Sequence, residues 1–417
     1  MQNNTINNKT MQRSNLARVL WTIYESGGIS RRDVAARTGL TPSSVTNIVY
    51  RLMEDGLVRE DAGSRGESAP VGRRPIRLTI CGERYAVVGV ELSADRITAV
   101  VTDFKGTPLA VGNDENSGAN PPEVAVEKIR LLVDSLLRQS GVSRDRVLGL
   151  GLMSSGPYDR EKGRMLCPTN FDGWIDVPIC DMTAEALELP VFFDRDSVGC
   201  ALDAQAAEAV SGALFAILVN TIGIGGALLI DGEVYYGLNN CASEIGCMTV
   251  MPDGPRCRCG DRGCLEAISS ADALLNYIRE RIAAGAPDPF DGAADRADAA
   301  MLAAAYRAGK PLAVEAVQRG ARYLGIAIGN IIKVACPNVI ALGGSFLVIF
   351  PEYYDLIIAE ALDRRQERPK FIPFAHGPIQ CALGGVQLVI NRYFKALEQR
   401  WETSVFRNSF EAGRVSS

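Results

Sequence analysis

Three cysteines fall within eight residues in the run Cys257-Arg258-Cys259-Gly260-Asp261-Arg262-Gly263-Cys264. The two glycines allow the chain to fold around an ion, and closely spaced thiols in a reduced protein are strong zinc ligands. Three such thiols require a fourth ligand to close a tetrahedron. The only histidine, His376, lies far downstream and reads as a loop residue. The chain holds 11 cysteines, an odd number, and its Asn/Thr-rich start lacks the apolar stretch of a secretory signal. These features predict a cytoplasmic protein with reduced thiols, in which the cysteines outside the metal site act as small apolar core residues.

A second set suited to chemistry is Ser43, Ser44, Asn47, Tyr50 and Arg51. Short hydrogen-bonding groups come first and longer ones behind, the arrangement that meets phosphates and base edges in a major groove. Their carrier is a helix opened by Thr41 as N-cap and Pro42, with Val45, Ile48, Val49 and Leu52 on its opposite face. Ahead of it, Leu16, Val19, Leu20 and Ile23 mark one helix, ended by Gly27-Gly28. Ser30 and Asp33 form a capping-box-like start for a short helix through Arg37, and Gly39 supplies the turn. Beyond Gly56, two short strands flanking a Gly/Ser-rich loop make a wing, with Arg73 and Arg74 at the tip placed to touch DNA backbone or minor groove. Residues 1–80 carry 12 Lys+Arg against 7 Asp+Glu, within a chain of net charge −5. A basic front end gains meaning because a DNA-reading pattern lies inside it.

Residues 29–75, with SRRDVAARTGLTPSSVTNIVYRLMEDGLV and the later GRRP, resemble the winged helix-turn-helix of ROK (repressor, open reading frame, kinase) repressors. After Tyr85 the pattern turns to β: Val87–Leu92, a turn at Ser93-Ala94-Asp95, Ile97–Val101, and a turn at Lys105-Gly106. Strands then alternate with helices, which predicts a two-lobed α/β body. The most apolar region, Ile331–Phe350, is broken by Lys333, Pro337, Asn338 and Gly343-Gly344 and reads as buried strand and loop, not a membrane span.

Residues 86–390 resemble ROK sugar kinases, which implies an actin-like, ribonuclease H-type fold. Where that family has a phosphate loop Asp-x-Gly-Gly-Thr, this chain has Glu91-Leu92-Ser93-Ala94-Asp95. Both glycines have gained side chains, and the hydroxyl position holds a carboxylate that repels a triphosphate. The family's Thr-Gly-Ile-Gly reads Ile222-Gly223-Ile224-Gly225 here, while Gly343-Gly344 is retained and suits a purely backbone role. The implied reading is a protein that has lost phosphoryl transfer, with Asp196 as a vestige of the catalytic base.

The resemblance further implies sugar contacts from Asn170, in Asn170-Phe171-Asp172-Gly173-Trp174, and from Asp196, Glu244 and Glu266. Arg195 replaces a family Asn; it either meets an anionic ligand or pairs with Asp194 or Asp196. The family supplies its fourth metal ligand from a Gly-His motif, and this chain has Gly246-Cys247 there. The expected site is therefore Cys247, Cys257, Cys259 and Cys264 around a structural zinc. The expected organisation is a DNA-binding domain over 1–80, a ROK body over 81–400 and a tail over 401–417. The expected function is a sugar-responsive repressor, a homodimer or homotetramer on double-stranded operator DNA. The alternatives are an active sugar kinase with a DNA module and a constitutive DNA-binding protein.

Overall fold

The computed structural model describes residues 8–61, 76–168, 170–208, 210–362, 368–374 and 377–399. Contacts divide the chain into two units, Met1–Asp194 with Gly385–Ser417, and Arg195–Gly384.

The first unit begins with helices α1 (Asn8–Ser26), α2 (Arg31–Thr38) and α3 (Pro42–Glu54). The Ser30 hydroxyl accepts from the Asp33 N–H, and Gly39, at φ 67°, ends α2 in the left-handed region that favours glycine. Thr41 caps α3 by accepting from the Ser44 N–H, with Pro42 opening the helix where its missing donor costs nothing. Leu20, Ile23, Val34, Val45, Val49 and Leu52 are completely buried. Each such side chain contributes about 1.5–3 kcal/mol through removal from water.

The expected wing strands are β2 (Val58–Asp61) and β3 (Arg77–Ile80), antiparallel in the register Val58↔Ile80 and Asp61↔Arg77. A two-residue strand β1 (Ile29–Ser30) adds to the other side of β3, giving the order β1-β3-β2. Its brevity left no periodicity to read. Arg73 and Arg74 lie outside the described residues.

The same unit holds the meander β4 (Ala86–Leu92), β5 (Arg96–Asp103) and β6 (Pro108–Glu115), then α4 (Pro122–Ser140) and β7 (Val147–Ser154), which runs parallel to β4. A small hairpin of β8 (Tyr158–Asp159) and β9 (Arg164–Met165) precedes α5 (Ile179–Leu187) and β10 (Val191–Arg195). The sheet order is β10-β7-β4-β5-β6. Val88, Val90, Ile97 and Val101 form a core with Ile129 and Val133 of α4 and with Trp174. Strands β4, β5 and β7 are buried almost throughout and read as near-continuous apolar runs because both faces are covered, whereas edge strand β6 is largely exposed.

The second unit contains α6 (Asp196–Glu208), β11 (Ala213–Val219), β12 (Ile224–Ile230), β13 (Glu233–Val234), α7 (Glu266–Ser269), α8 (Ala271–Ala283), α9 (Ala299–Arg307) and α10 (Pro311–Ala335). It continues with β14 (Val339–Gly343), α11 (Ser345–Ile349), α12 (Pro351–Leu362) and β15 (Lys370–Pro373). The final helix, α13 (Pro378–Gln399), begins in this unit and ends in the other. The sheet order is β13-β12-β11-β14-β15, with β11 antiparallel to β12 and parallel to β14. Counted along the chain, both sheets have the spatial order third, second, first, fourth, fifth. That shared plan agrees with the expected fold. Among the described residues, no helix is long and apolar enough to cross a membrane.

Candidate metal, ligand and DNA-binding sites

The cysteine loop is folded by its glycines. Gly263 has φ 68°, and a Cβ there would lie 1.5 Å from the Met251 carbonyl oxygen, so only glycine fits. The Cys257 N–H donates to the Asp261 carbonyl at 2.8 Å, which curls the chain back on itself. The Sγ atoms of Cys247, Cys257 and Cys259 lie within 4.8 Å of one another, and Cys264 Sγ is 3.6 Å from Cys259 Sγ. Three of the four expected ligands cluster, and Cys264 adjoins them through Cys259. Burial pushes the Cys247 and Cys257 thiols up to about 12 and Cys264 up to about 11. Cys259 is lowered, chiefly by the backbone N–H of Asp261. Burial thus leaves three of the four thiols reluctant to ionise, and a dication reverses that balance. The donor set is one that can hold a metal ion, and four sulfurs favour zinc over the harder cations.

Arg195 and Asp196 occur where β10 passes into α6. Arg195 forms an ion pair with Glu244 and donates from Nη2 to the Ala242 carbonyl at 2.9 Å. Asp194 accepts from the Tyr158 hydroxyl at 2.9 Å and from Arg160 Nε at 3.2 Å. Asp196 is half-buried, and its Oδ1 accepts from the Ser197 N–H at 2.7 Å. Glu244 is exposed. Glu266 opens α7, accepts from the Cys257 thiol at 3.3 Å and lies 3.8 Å from Arg258.

The Gly223–Gly226 run explains how these groups come together within the second unit. A Cβ on Gly223 would approach Glu266 at 3.3 Å, one on Gly225 would meet Ser197 at 3.4 Å, and one on Gly226 would meet the Ser243 carbonyl at 2.8 Å. The glycine turn thus has packing work independent of any phosphate. Arg258 caps it by donating to the Ile222 carbonyl at 2.5 Å. Gly344, at φ 122° with its Cβ direction 2.3 Å from the Val219 carbonyl, serves the backbone, as expected.

In the first unit, Asn170 is half-buried beside Phe171 and Trp174, whose rings are 4.6 Å apart. Trp174 Nε1 donates to the Asn120 carbonyl at 2.9 Å, which anchors the segment. In the turn between β4 and β5, Ser93 Oγ donates to the Arg96 carbonyl at 3.0 Å, and Asp95 is exposed.

On α3, Ser43, Asn47, Tyr50 and Arg51 are exposed and Ser44 is half-buried. Ile48 is only partly buried, whereas Val45, Val49 and Leu52 face the core. The sorted polar face predicted from the sequence is present.

Sequence reasoning missed an aromatic cluster. Trp21 and Tyr24 of α1 meet Phe394 of α13 at 4.7 and 5.4 Å between ring centroids, and Phe104 packs against Tyr85, Tyr393 and Phe394. The only local signal was the i, i+3 aromatic pair on α1. The seven remaining cysteines also divide differently from expectation: Cys200 and Cys381 are buried, but Cys167, Cys241 and Cys336 are exposed.

The family model described as ROK matches residues 87–392, and the MarR family model matches residues 15–66. The chain is 26% identical to the xylose repressor of Bacillus subtilis over 382 residues, covering 90% of this chain and 94% of that one. It is 30% identical to the glucokinase of Thermotoga maritima over 263 residues, covering 60% of this chain and 82% of the kinase. A crystal structure described as a ROK family transcriptional regulator, homolog of the E. coli MLC protein, superposes with a TM-score of 0.74 at 24% identity. It covers 94% of this chain and 98% of that one. With a match that runs through both α/β sheets, the chain belongs to the ROK family, and its first helices match the MarR type.

Proposed function

We propose that the protein is a sugar-responsive transcriptional repressor. The observation that carries this reading is the exposed polar face of α3, set on a capped helix in the segment that matches the MarR family. Full-length similarity to a xylose repressor supports it, because the kinase relative covers only 60% of the chain. Ser43, Ser44, Asn47, Tyr50 and Arg51 read the major groove, and Arg73 and Arg74 of the wing contact the backbone. Residues 1–80 are the DNA-binding domain, 81–400 the ROK body and 401–417 a tail.

In the body, Asn170, Asp196, Glu244 and Glu266 contact a polyol, with carboxylates accepting hydroxyl hydrogens. Arg195 gives the pocket a cationic group, which favours a ligand carrying a phosphate or carboxylate. Cys247, Cys257, Cys259 and Cys264 hold a structural zinc. The protein has no phosphoryl-transfer activity, because Ser93, Ala94, Asp95 and Ile222 stand where the kinases bind phosphates. It works in the cytoplasm as a homo-oligomer, and ligand lowers DNA affinity by favouring a conformation in which paired recognition helices no longer match successive grooves.

A thermal-shift screen of free and phosphorylated sugars tests the ligand reading, since binding to the folded state raises apparent stability. At least one sugar is expected to shift the melting temperature, and no response across the panel would leave a constitutive DNA-binding protein. An ATP-coupled assay on the same panel is expected to show no turnover. Turnover at ordinary enzyme rates would restore the kinase reading.

A further inference from the structure

Outside the metal cluster, a second pair of thiols is in contact. Cys200 Sγ and Cys381 Sγ are 3.0 Å apart, and the two residues are 0% and 1% exposed. They come from elements 181 residues apart in sequence. Cys200 lies near the start of α6 and Cys381 near the start of α13. The helix ends cross at backbone contact: a Cβ on Gly384 would fall 1.8 Å from the Gly199 carbonyl oxygen. Neither helix can therefore slide without disrupting that glycine contact, so the backbones hold the two cysteines side by side and small side-chain rotations suffice to bring the sulfurs to bonding distance. The Cys381 thiol also donates to the Asp196 carbonyl at 3.7 Å, beneath the turn that presents the Asp196 side chain.

We infer that Cys200 and Cys381 are a redox couple that closes to a disulfide when a hydroperoxide oxidises it. One sulfur, as thiolate, attacks a peroxide oxygen and the O–O bond breaks. A sulfenic acid forms, and an alcohol or water leaves. The second sulfur attacks the sulfenic sulfur, the S–O bond breaks, the S–S bond forms, and a second water leaves carrying the remaining thiol proton. The two sulfurs together lose two electrons to the peroxide. Both thiols lie toward helix N-termini, where the backbone dipole favours the negative charge that the attack requires. Burial excludes bulky disulfides as oxidants, so the oxidant class is a small hydroperoxide.

The bond staples the first turn of α6 to α13. The same α13 carries Phe394, which packs on Trp21 and Tyr24 of α1. Oxidation thus reaches a helix that touches both a candidate ligand carboxylate and the seat of the N-terminal helices. The covalent step itself does not depend on the sugar reading.

The test treats the full-length, metal-loaded protein with hydrogen peroxide, alkylates it under denaturing conditions and maps disulfides by mass spectrometry. Zinc release is followed in parallel with a colorimetric chelator. A peptide joined through Cys200 and Cys381 is expected after peroxide and lost after dithiothreitol. It is expected to form before zinc is released. Cys200→Ala and Cys381→Ala, checked for an unchanged melting profile in the reduced state, are each expected to abolish it. Recovery of both cysteines as alkylated peptides after peroxide treatment overturns the inference, as does their conversion to sulfinic acids without a bridge.

Discussion

Arg195 and Cys247 stand at two positions where the ROK resemblance places an Asn and a His. The consequences differ. Cys247 keeps its side chain in the cysteine cluster, so it offers a sulfur where the resemblance implies a nitrogen ligand. Arg195 instead engages Glu244, 49 residues away, and that pairing could not be read locally. The eight-residue cysteine run was legible because its ligands are neighbours in sequence; the Arg195 partner was not, because nothing in the run from Asp194 to Asp196 points beyond itself. Cys259→Ser is expected to reduce bound zinc, measured by elemental analysis, well below one per chain and to lower the melting temperature, as a chelator should in the unaltered protein. Arg195→Asn is expected to move the thermal-shift response from anionic toward neutral sugars. An unchanged ranking across the panel would remove Arg195 from ligand selection.

At the scale of elements, α2 and α3 were readable almost to the residue, because caps, glycine stops and apolar spacing agreed. Strand β1 was not, since two residues carry no alternation. The seat of α1 was hidden for another reason: Trp21 and Tyr24 pack against Phe394 from the far end of the chain, and long-range contacts leave no periodic trace. Thr41→Ala removes the acceptor for the Ser44 N–H and is expected to cost about 1 kcal/mol. Chemical denaturation of the N-terminal helices checks this. Phe394→Ala removes a 6% exposed ring and is expected to cost about 3–5 kcal/mol. Hydrogen exchange should then show α1 losing protection before the two sheets do.

For the whole molecule, the separation of a DNA-reading segment from an α/β body was visible in the switch from helical to alternating periodicity after Tyr85. The common order of the two sheets was not, because topology repeats here without an evident sequence repeat. Duplex recovered by selection from a random pool provides a probe for the assembled protein. Arg73→Ala is expected to weaken binding to every recovered duplex and to reduce the salt slope by about one. Asn47→Ala is expected to relax preference at one base position while leaving that slope unchanged.

The shared sheet order places two turns alike. The turn holding Ser93-Ala94-Asp95 joins the first and second strands of one sheet, and the turn holding Ile222 joins the first and second strands of the other. On the proposed reading both turns lack phosphate contacts, so regaining phosphoryl transfer needs changes in two places at once.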